Sequence, residues 1–497
     1  MNLSTLLQDL HPVSTEADRD ISGLALDSRA IKQNNLFLAI KGGQEDGCKY
    51  IQDAISRGAT AVLVDRDGVF NGQINVPLIP VPDLKHKLGE IAARFHDYPA
   101  KHLRMIGITG TSGKTSCSHF MAQSLQSLNI PCGIIGTLGS GFYDAVGPAL
   151  LTTPDAVTLQ STLHDFVTKG AKAIAMEVSS HSIDQGRINA IPYEIGIFTN
   201  LSQDHLDYHN TMEAYAAVKR RFLADMPVKH LIINADDAHG RQWINELSPH
   251  KSVIAYGLSK PSLLRDVPLV YADHMESTPD GSKAIIKSPW GDAEIVIPLV
   301  GQFNLSNAIA ILTALCVYGV SFQDAVKCLS RLKTVPGRMQ TLTREGQPLV
   351  VIDYAHKPDA LEKVLQALRH HTQGKLWCVF GCGGERDRGK RPLMASIAER
   401  LADHVIVTND NPRHEKPEAI LADIMQGFSN PKKVSVELNR SKAILNSIQL
   451  AQSGDCILIA GKGAELYQQI GDEKIPFDDL NKAREYLEQT TILGGGK

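Results

Sequence analysis

The stretch from Met105 to Ser116 constrains the fold most, because it has the pattern of a phosphate-binding loop. A short apolar run leads into a glycine-rich turn, and a helix is predicted from Thr115 through Ser127. A strand, a loop and a helix in this order bring backbone N–H groups and the positive end of a helix against phosphate oxygens. The alternative, a solvated turn before an ordinary helix, is disfavoured by the Gly-Lys-Thr ending. The sequence therefore predicts an α/β fold that binds ATP.

Individual residues of this loop have distinct expected roles. Lys114 can reach the β- and γ-phosphates, and the Thr115 hydroxyl can bind Mg²⁺. The common pattern has a glycine five residues before Gly113, whereas this chain has Ile108 there. The residues predicted to contact ATP are Gly110, Thr111, Ser112, Gly113, Lys114, Thr115 and Ser116.

Length, charge and cysteine content limit the class of protein. A chain of 497 residues exceeds what one core usually fills, so about three domains are expected. The net charge of −3 gives no reason to expect a nucleic-acid partner. The first residues lack the features of a signal peptide, and no apolar run approaches the length of a membrane span. The eight cysteines form no C-x-x-C pair. We therefore expect a cytoplasmic monomer in a reducing compartment, without membrane insertion.

Apolar segments of strand length alternate with helical stretches, which predicts α/β architecture with mostly parallel sheets. Domain boundaries are predicted near Tyr98–His102 and Thr334–Gly337, with a β-rich excursion at 259–297. The predicted domains are 1–101, 102–336 and 337–497. The segments predicted as strands include Ala61–Val64, Ile134–Ile135, Ala173–Met176, Leu231–Ile233, Leu349–Ile352, Trp377–Phe380, His404–Val407 and Cys456–Ile459.

Candidate chemistry in the middle of the chain begins at Glu177, directly after the predicted strand Ala173–Met176. A carboxylate at the carboxyl end of a parallel strand beside an ATP loop is well placed to hold Mg²⁺, although a hydrogen-bonded strand end is the alternative. Gln185 and Arg187 can supply an amide and a planar cation to substrate oxygens.

A second polar segment, Thr199–His209, contains the candidate metal ligand His205. A lone histidine is more often structural, and this one gains weight from its polar neighbours. The alternative ligands there are Asp204, Asp207 and His209. Lys219 lies in a helical segment, and on local evidence alone it is predicted to be a surface lysine.

Four polar loops follow predicted strands in the last third of the chain. Since ligands bind at the carboxyl ends of strands in open α/β sheets, these loops predict a second ligand site. One of them combines glycines with four cations, a composition suited to anions, and a basic solvated turn is its alternative. The loops are Asp353–Ala360, Gly381–Pro392, Asp410–Arg413 and Gly461–Glu465.

Taken together, these residues resemble the Mur ligase family of ATP-dependent amide-forming enzymes over essentially the whole chain. Seven motifs in the family's order make the resemblance specific. They are Gly-Thr-Ser-Gly-Lys-Thr at 110–115, Glu177–His181, Thr199–Leu201 through His205–His209, Phe303–Asn307, Gly337–Met339, Asp353–His356 and Asp410–Arg413.

The resemblance implies an N-terminal domain for a UDP-sugar, a central P-loop ATPase and a C-terminal Rossmann-like domain. It implies the addition of meso-2,6-diaminopimelate to a UDP-muramoyl-dipeptide through an acylphosphate in peptidoglycan precursor synthesis, with ATP as co-substrate and Mg²⁺ as cofactor. Three alternatives stay open: the same scaffold adding L-lysine, a folylpolyglutamate synthetase-like ligase, and a nucleotide-dependent binding module without ligase activity. Arg413 favours diaminopimelate over lysine, because its planar cation suits the extra carboxylate.

The resemblance also implies roles residue by residue. Lys114, Glu177, His205 and Lys219 are implied to be catalytic, with Lys219 N-carboxylated. The implied Mg²⁺ ligands are Thr115, Glu177, His205 and the Lys219 carbamate, and Asn304 and Arg338 are implied ATP contacts. The implied UDP-substrate residues are Leu26, Ser28, Gly43, Gln44, Glu45, Leu151, Thr152, Thr153, Ser179, Gln185 and Arg187. The implied diaminopimelate residues are Arg386, Asp410, Asn411, Pro412, Arg413, Gly461 and Glu465.

The chain departs from the family pattern at three positions. Ser112 replaces the usual asparagine of the phosphate loop, and Leu151 stands where some relatives have a polar residue. These two positions can act through the backbone. Ala464 replaces a histidine and removes a polar side chain near the amino-acid site, which keeps Gly461 and Glu465.

Overall fold

The structure, a computed structural model, describes residues 1–42, 45–65, 74–147, 151–261, 266–278 and 281–494. Its N-terminal sheet has four parallel strands in the order β1-β2-β3-β4. The strands are β1 (Gly23–Ala25), β2 (Asn35–Ala39), β3 (Ala59–Val64) and β4 (Leu78–Pro80), and the α-helices are α1 (Leu3–Leu6), α2 (Ile51–Ser56) and α3 (Leu84–Phe95).

The central sheet has eleven strands in the described part of the chain, and two apolar cores cover its faces. The strands are β5 (Arg104–Thr109), β6 (Cys132–Gly136), β7 (Gly139–Phe142), β8 (Ala145–Gly147), β9 (Ala173–Glu177), β10 (Tyr193–Phe198), β11 (Val228–Asn234), β12 (Ser252–Gly257), β13 (Leu269–Thr278), β14 (Gly281–Ser288) and β15 (Gly291–Ile297). The helices are α4 (Lys114–Ser127), α5 (Ala156–Thr168), α6 (Ser180–Asp184), α7 (Leu206–His209), α8 (Met212–Ala224), α9 (Ala238–Leu247), α10 (Gln302–Tyr318) and α11 (Phe322–Leu329).

The strand order β15-β14-β13-β12-β11-β10-β5-β9-β6-β7-β8 places β5 between β10 and β9. Strands β13 through β6 along this order are parallel, and antiparallel strands close both edges. The chain runs from β5 to one side of the sheet and later returns to the other side through β10. A ligand crevice is expected where the strand order reverses in this way. The carboxyl ends of β5, β9 and β10 therefore open onto one site.

The C-terminal sheet has six strands in the order β16-β17-β21-β18-β19-β20, and all but β16 are parallel. A separate antiparallel hairpin, β22–β23, follows it. The strands are β16 (Gln340–Leu342), β17 (Leu349–Asp353), β18 (Leu376–Phe380), β19 (His404–Val407), β20 (Ser435–Val436), β21 (Cys456–Ala460), β22 (Tyr467–Ile470) and β23 (Glu473–Pro476). The helices are α12 (Pro358–His371), α13 (Lys390–Leu401), α14 (Pro417–Met425), α15 (Arg440–Leu450) and α16 (Asp479–Gly494).

A fully buried ion pair anchors the loops at the end of this sheet. Arg440 donates two hydrogen bonds of 2.7 Å to the Asp479 carboxylate. The same guanidinium donates to the carbonyl oxygens of Asn409 (3.3 Å) and Ala460 (2.9 Å). Because each buried charge is paired and hydrogen-bonded, the arrangement avoids the large cost of an isolated buried ion. The loops that follow β19 and β21 therefore start from fixed points.

The predicted α/β architecture with mostly parallel sheets is confirmed, and each predicted strand segment lies within an observed strand. The β-rich excursion at 259–297 contains the antiparallel edge formed by β13, β14 and β15. The strands that no predicted segment covers include the short strand β16 and the hairpin β22–β23. All eight cysteines are free thiols, and seven of them are buried. Among the described residues, no helix is long and apolar enough to cross a membrane.

Candidate active site

The predicted phosphate-binding loop lies between β5 and α4, which confirms the order of strand, loop and helix that the sequence predicts. Gly110 and Gly113 adopt φ values of 145° and 87°, which side-chain-bearing residues rarely adopt. A Cβ at Gly110 would also collide with the Thr199 hydroxyl. Thr199 Oγ1 donates to the Ser112 carbonyl (2.6 Å), and Asn200 Oδ1 accepts from the Ser112 N–H (3.0 Å). The end of β10 therefore holds the loop in place through backbone atoms of Ser112.

Two lysine amines converge on one carbonyl oxygen of this loop. Lys114 Nζ donates to the carbonyl oxygens of Gly110 (2.8 Å) and Thr111 (2.9 Å), and Lys219 Nζ donates to the same Gly110 oxygen (2.9 Å). Burial lowers the pKa of Lys114 to about 8, and the nearby Glu177 carboxylate opposes that shift. Two ammonium groups this close repel each other strongly in a buried site.

Lys219 is a buried residue, so the prediction of a surface lysine from local evidence is wrong. Its exposed fraction is 1%, and helix α8 buries it on the same side as Tyr215 and Phe222. Burial, and next the charge of Lys114, lower the pKa of Lys219 well below its usual value. Its amine donates to the Gly110 oxygen and lies 4.9 Å from the centre of the Tyr215 ring. The spacing of Tyr215, Lys219 and Phe222 along a helix was the sequence signal for this burial.

Glu177 ends strand β9 and is buried beside the phosphate loop. Its carboxylate accepts hydrogen bonds from the Thr137 N–H (2.8 Å) and the Thr137 hydroxyl (3.0 Å). Thr137 Oγ1 also lies 3.1 Å from Thr152 Oγ1. Thr153 Oγ1 donates to the Glu177 carbonyl (2.8 Å) and lies 3.3 Å from the Ser179 hydroxyl oxygen. The structure thus brings Thr152, Thr153 and Ser179 to the same strand end as Glu177.

Arg187 extends this polar group toward the N-terminal sheet. Its guanidinium donates to the Thr153 carbonyl (2.9 Å) and to Gln185 Oε1 (2.6 Å), so Arg187 links two other predicted substrate residues. Asn189 Nδ2 donates to the His86 carbonyl on helix α3 (2.9 Å). The predicted UDP-substrate residues of the central part therefore lie where it meets the N-terminal part.

The predicted UDP-substrate residues of the N-terminal part lie after β1 and in the segment before α2. Ser28 is buried, and Leu26 directly follows β1. The Glu45 carboxylate accepts a hydrogen bond from the Tyr50 hydroxyl (3.0 Å). Leu151 is exposed on the central part. Gly43 and Gln44 lie outside the described residues.

His205 is exposed and adopts a left-handed φ of 53°. Its Nε2 lies 3.1 Å from Asp204 Oδ2. Although 43% of the His205 side chain is exposed, the surrounding protein desolvates the ring and lowers the pKa of His205 to about 4, so the neutral imidazole predominates at pH 7. A neutral imidazole is the form that binds metals. Of the alternatives, Asp207 is exposed, and the buried His209 has its Nε2 2.9 Å from the Ser180 hydroxyl.

A magnesium site at the phosphate loop fits the donors present. Within the part of the chain that the structure describes, no group of three or more His, Cys, Asp or Glu side chains could hold a metal by itself. Mg²⁺, however, usually binds through one or two carboxylates together with waters and substrate phosphates. Glu177 and the Thr115 hydroxyl provide hard oxygen donors at the loop, and both residues are buried.

The two predicted ATP contacts outside the loop are placed differently. Arg338 Nη2 donates to the Thr115 hydroxyl (3.4 Å), so it reaches the phosphate loop from the start of the C-terminal part. Asn304 Nδ2 instead donates to the Val300 carbonyl (2.9 Å). Asn307, in the same Phe303–Asn307 motif, lies against Gly113. No role was predicted for Asn307 from the sequence.

Side chains from the C-terminal part also enter the site beside Lys114, and sequence reasoning did not single them out. Lys357 Nζ forms a short ion pair with Asp204, and together with His205 it lowers the pKa of Asp204 to about 2 against the opposing effect of burial. Ser202 Oγ donates to the Asp359 carboxylate (2.5 Å). The available signal was the position of Lys357 and Asp359 in a polar loop after β17.

The loops after β18, β19 and β21 meet and form the second predicted ligand site. Asn411 Nδ2 donates to Glu465 Oε2 (2.9 Å), and the buried Lys462 donates to both Asn411 Oδ1 (3.0 Å) and Glu465 Oε2 (2.8 Å). Asp410 is buried, and a Cβ at Gly461 would meet its carboxylate. Lys462 was missed, although it stands between two residues that were predicted.

Two cations border this second site. The Arg413 guanidinium donates to the Gly384 carbonyl (2.7 Å), and the Gly384 N–H donates to the Asn411 carbonyl (2.9 Å). Pro412 is buried, with its carbonyl against Gly384. A Cβ at Gly383 would lie 3.0 Å from Arg413 Nη1 and 3.8 Å from Arg386 Cγ. Arg386 and Arg413 therefore flank one glycine, and the structure brings all seven predicted residues of this site together.

Three family models match the chain in succession. Residues 20–96 match the model described as Mur ligase family, catalytic domain; residues 108–315 match the Mur ligase middle domain; and residues 337–463 match the Mur ligase, glutamate ligase domain.

Curated relatives match along almost the full chain. The UDP-N-acetylmuramoyl-L-alanyl-D-glutamate–2,6-diaminopimelate ligase of Coxiella burnetii is 46% identical over 488 residues, covering 98% of this chain and 99% of that protein. The protein of the same name from Pseudomonas aeruginosa is 46% identical over 483 residues, covering 96% and 98%. A solved structure of a ligase of that name has a TM-score of 0.70 at 36% identity and covers 98% of this chain and 99% of its own. The chain belongs to the Mur ligase family.

Proposed function

We propose that this protein is an ATP-dependent acid–amino-acid ligase that adds meso-2,6-diaminopimelate to UDP-N-acetylmuramoyl-L-alanyl-D-glutamate in peptidoglycan precursor synthesis. The names of the relatives at 46% identity support this assignment, because each names that ligase. The observation that carries it is the convergence of the central and C-terminal parts of the chain on the phosphate loop. Lys114 lies beside Glu177, which joins the Thr153–Arg187 group, and beside Asp204, which pairs with Lys357 of the C-terminal part.

The proposed reaction has two steps. The substrate carboxylate attacks the γ-phosphorus of ATP, ADP leaves, and an acylphosphate forms. The amine of the acceptor then attacks the acyl carbon, and phosphate leaves from the tetrahedral intermediate. Both steps need groups from different parts of the chain held in one orientation, which supplies much of the rate enhancement. Closure of the C-terminal part around the substrates is therefore expected.

The residues of the loop have proposed roles in the first step. The backbone N–H groups of Gly110 and Gly113–Ser116 and the Lys114 ammonium bind the phosphates, and Arg338 reaches them beside Thr115. The N–H groups of Thr111 and Ser112 instead donate to Asn200. Asn304 remains a proposed ATP contact. Mg²⁺, when bound, supplies the charge that lets two anions approach, and the residues proposed to hold it are Thr115, Glu177, His205 and the carbamate of Lys219.

The two substrate sites are proposed on opposite sides of the loop. The UDP-substrate is assigned to the residue set that the family resemblance implies, from Leu26 and Ser28 to Arg187. The acceptor is assigned to the seven predicted diaminopimelate residues. They include Arg386 and Arg413, which flank Gly383, and Glu465, which accepts a hydrogen bond from Asn411. We further propose that the three domains span 1–101, 102–336 and 337–497, and that the protein acts as a cytoplasmic monomer on small-molecule substrates.

Replacing Arg413 with alanine is expected to lower kcat/KM for diaminopimelate by about one to three orders of magnitude. A charge-assisted hydrogen bond contributes roughly 1.5–3 kcal/mol, and the two that the guanidinium can form with the distal carboxylate are expected to contribute less than their sum, because bonds of one side chain are not additive. L-lysine has no carboxylate at that end, so the variant should lose much less of any residual lysine activity. Steady-state kinetics with both acceptors measures this difference.

Arg388 provides a matched control for this variant. It is a cation of the neighbouring loop Gly381–Pro392, but its guanidinium pairs with Asp423, 3.0 Å away, on the exposed side. Arg388→Ala should therefore keep the acceptor preference of the wild type. An Arg413→Ala variant that keeps the full preference for diaminopimelate would refute the assignment of Arg413.

A further inference from the structure

The hairpin β22–β23 packs directly on the segment that contains Arg413. The Arg413 N–H donates to the Gln469 carbonyl (3.1 Å), and the Gly471 N–H donates to the Arg413 carbonyl (2.8 Å). Arg413 and Ile470 therefore form an isolated parallel bridge. Both backbone polar groups of Arg413 are bound by the hairpin.

These bonds matter because Arg413 has a left-handed backbone, with φ at 51°. A residue with a side chain adopts this conformation only where its surroundings hold it there. The conformation sets the direction from which the guanidinium approaches Gly384, to whose carbonyl it donates. The hairpin is thus the element that fixes the backbone from which this side chain extends.

Two glutamines of β22 bind the residues just before Arg413. The side-chain amide of Gln468 donates to the Asp410 carbonyl (2.6 Å). The backbone N–H of Gln469 donates to Asn411 Oδ1 (2.9 Å), an oxygen that also accepts from Lys462. With its oxygen satisfied twice, the Asn411 amide has its NH₂ group directed to Glu465.

We propose that the hairpin Tyr467–Pro476 is a specificity element that holds Asn411 and Arg413 in the geometry needed to bind the distal carboxylate of the acceptor, with Gln468 as a positioning residue. This inference rests on the proposed function, because it assigns the acceptor to the site beside Arg413. An isolated two-stranded hairpin is only marginally stable in water. Its contacts with 410–413 therefore stabilise the hairpin as well as the segment that it holds.

The test replaces Gln468 with methionine, which keeps the length of the side chain and removes the donor to Asp410. One lost hydrogen bond predicts a KM for diaminopimelate about three- to tenfold higher. The values of kcat and the KM values for ATP and the UDP-dipeptide should stay within about twofold, since those substrates are bound elsewhere. Gln468→Glu should raise the same KM further, because it places a carboxylate against the Asp410 carbonyl.

The adjacent Gln469 offers a matched control. Its side-chain amide donates to the Gly471 carbonyl within the hairpin (3.2 Å) and not to 410–413. Gln469→Met should therefore leave the KM for diaminopimelate within about twofold of the wild type. An equal rise in both methionine variants, or a parallel rise in the KM for ATP, would indicate general loosening and overturn the proposal.

A double-mutant cycle with Arg413→Ala tests whether Gln468 acts through Arg413. If it does, Gln468→Met should change the KM for diaminopimelate much less in the Arg413→Ala background than in the wild type. Fully independent effects would overturn the proposal. A wild type that does not use diaminopimelate would refute the proposed function, whereas a wild type that uses it with an unchanged Gln468→Met variant would refute this inference alone.

Discussion

Replacing Lys219 with alanine is expected to leave almost no amide-forming activity, a loss of at least about 10²- to 10³-fold, the range seen when one charge-stabilising group is removed from a catalytic site. Lys219 is buried, and its amine shares the Gly110 carbonyl with the amine of Lys114. Burial and the positive charge of Lys114 both favour the neutral form of Lys219. A neutral amine can add to CO₂ and lose a proton, which gives a carbamate.

The carbamate reverses the charge beside Lys114. The neutral Lys219 amine would become an anion that pairs with the Lys114 ammonium, and the site would gain the anion that a magnesium ion requires. Carbamate formation needs the unprotonated amine, so its extent should fall as the pH is lowered through the pKa of Lys219. The activity should therefore depend on the concentration of dissolved CO₂, and this dependence should grow toward acidic pH.

Small carboxylates such as acetate or formate should partly restore activity to Lys219→Ala by entering the space of the carbamate. The exposed Lys229, paired with Glu194, provides the control, because Lys229→Ala should keep wild-type activity and gain nothing from acetate. Turnover at the wild-type rate by Lys219→Ala in CO₂-free buffer would rule out the role. Carbon-13 NMR of the wild type under labelled CO₂ should show the carbamate signal directly and lose it in the variant.

Replacing Lys114 with alanine is the second change with a large expected effect. Its ammonium is the cation placed to bind the transferred phosphate, and removing such a group is expected to lower kcat by at least about 10²- to 10³-fold. Binding of the UDP-dipeptide should change little, because Thr153 and Arg187, which are assigned to it, are held by hydrogen bonds that do not involve Lys114. Calorimetric titration of the variant with the UDP-dipeptide, combined with an ADP-release assay, measures both quantities. Near-normal turnover would remove the phosphate-loop assignment.

Local patterns were sufficient to predict eight strand segments and the strand, turn and helix around the phosphate loop. The loop depends on glycines, a lysine and a threonine that are contiguous in the chain, and its strand and helix flank it directly. The predicted polar loops follow strand ends for the same reason, and a parallel sheet brings such ends to one edge. The convergence of Asn411, Arg413 and Glu465 therefore follows from topology that a sequence pattern can indicate.

Long-range packing determined what local patterns missed. Lys219 was expected at the surface because lysines usually lie there, but α8 packs it under the phosphate loop. Lys357 and Asp359 belong to the site because they contact Asp204 and Ser202, which lie more than 150 residues earlier in the chain. The hairpin β22–β23 gave no signal of its function, since its bonds to 410–413 involve backbone atoms and one glutamine amide.

The most direct test of the proposed function is an ADP-release assay on the wild-type protein with ATP, Mg²⁺ and the UDP-muramoyl-dipeptide, comparing meso-diaminopimelate with L-lysine as acceptor. We expect one ADP released for each amide formed with diaminopimelate, and a kcat/KM for lysine lower by at least about tenfold, the value of a single charge-assisted hydrogen bond. Equal use of the two acceptors would contradict the assigned specificity. Absence of ADP release with either acceptor would contradict the assignment of this chain as a ligase.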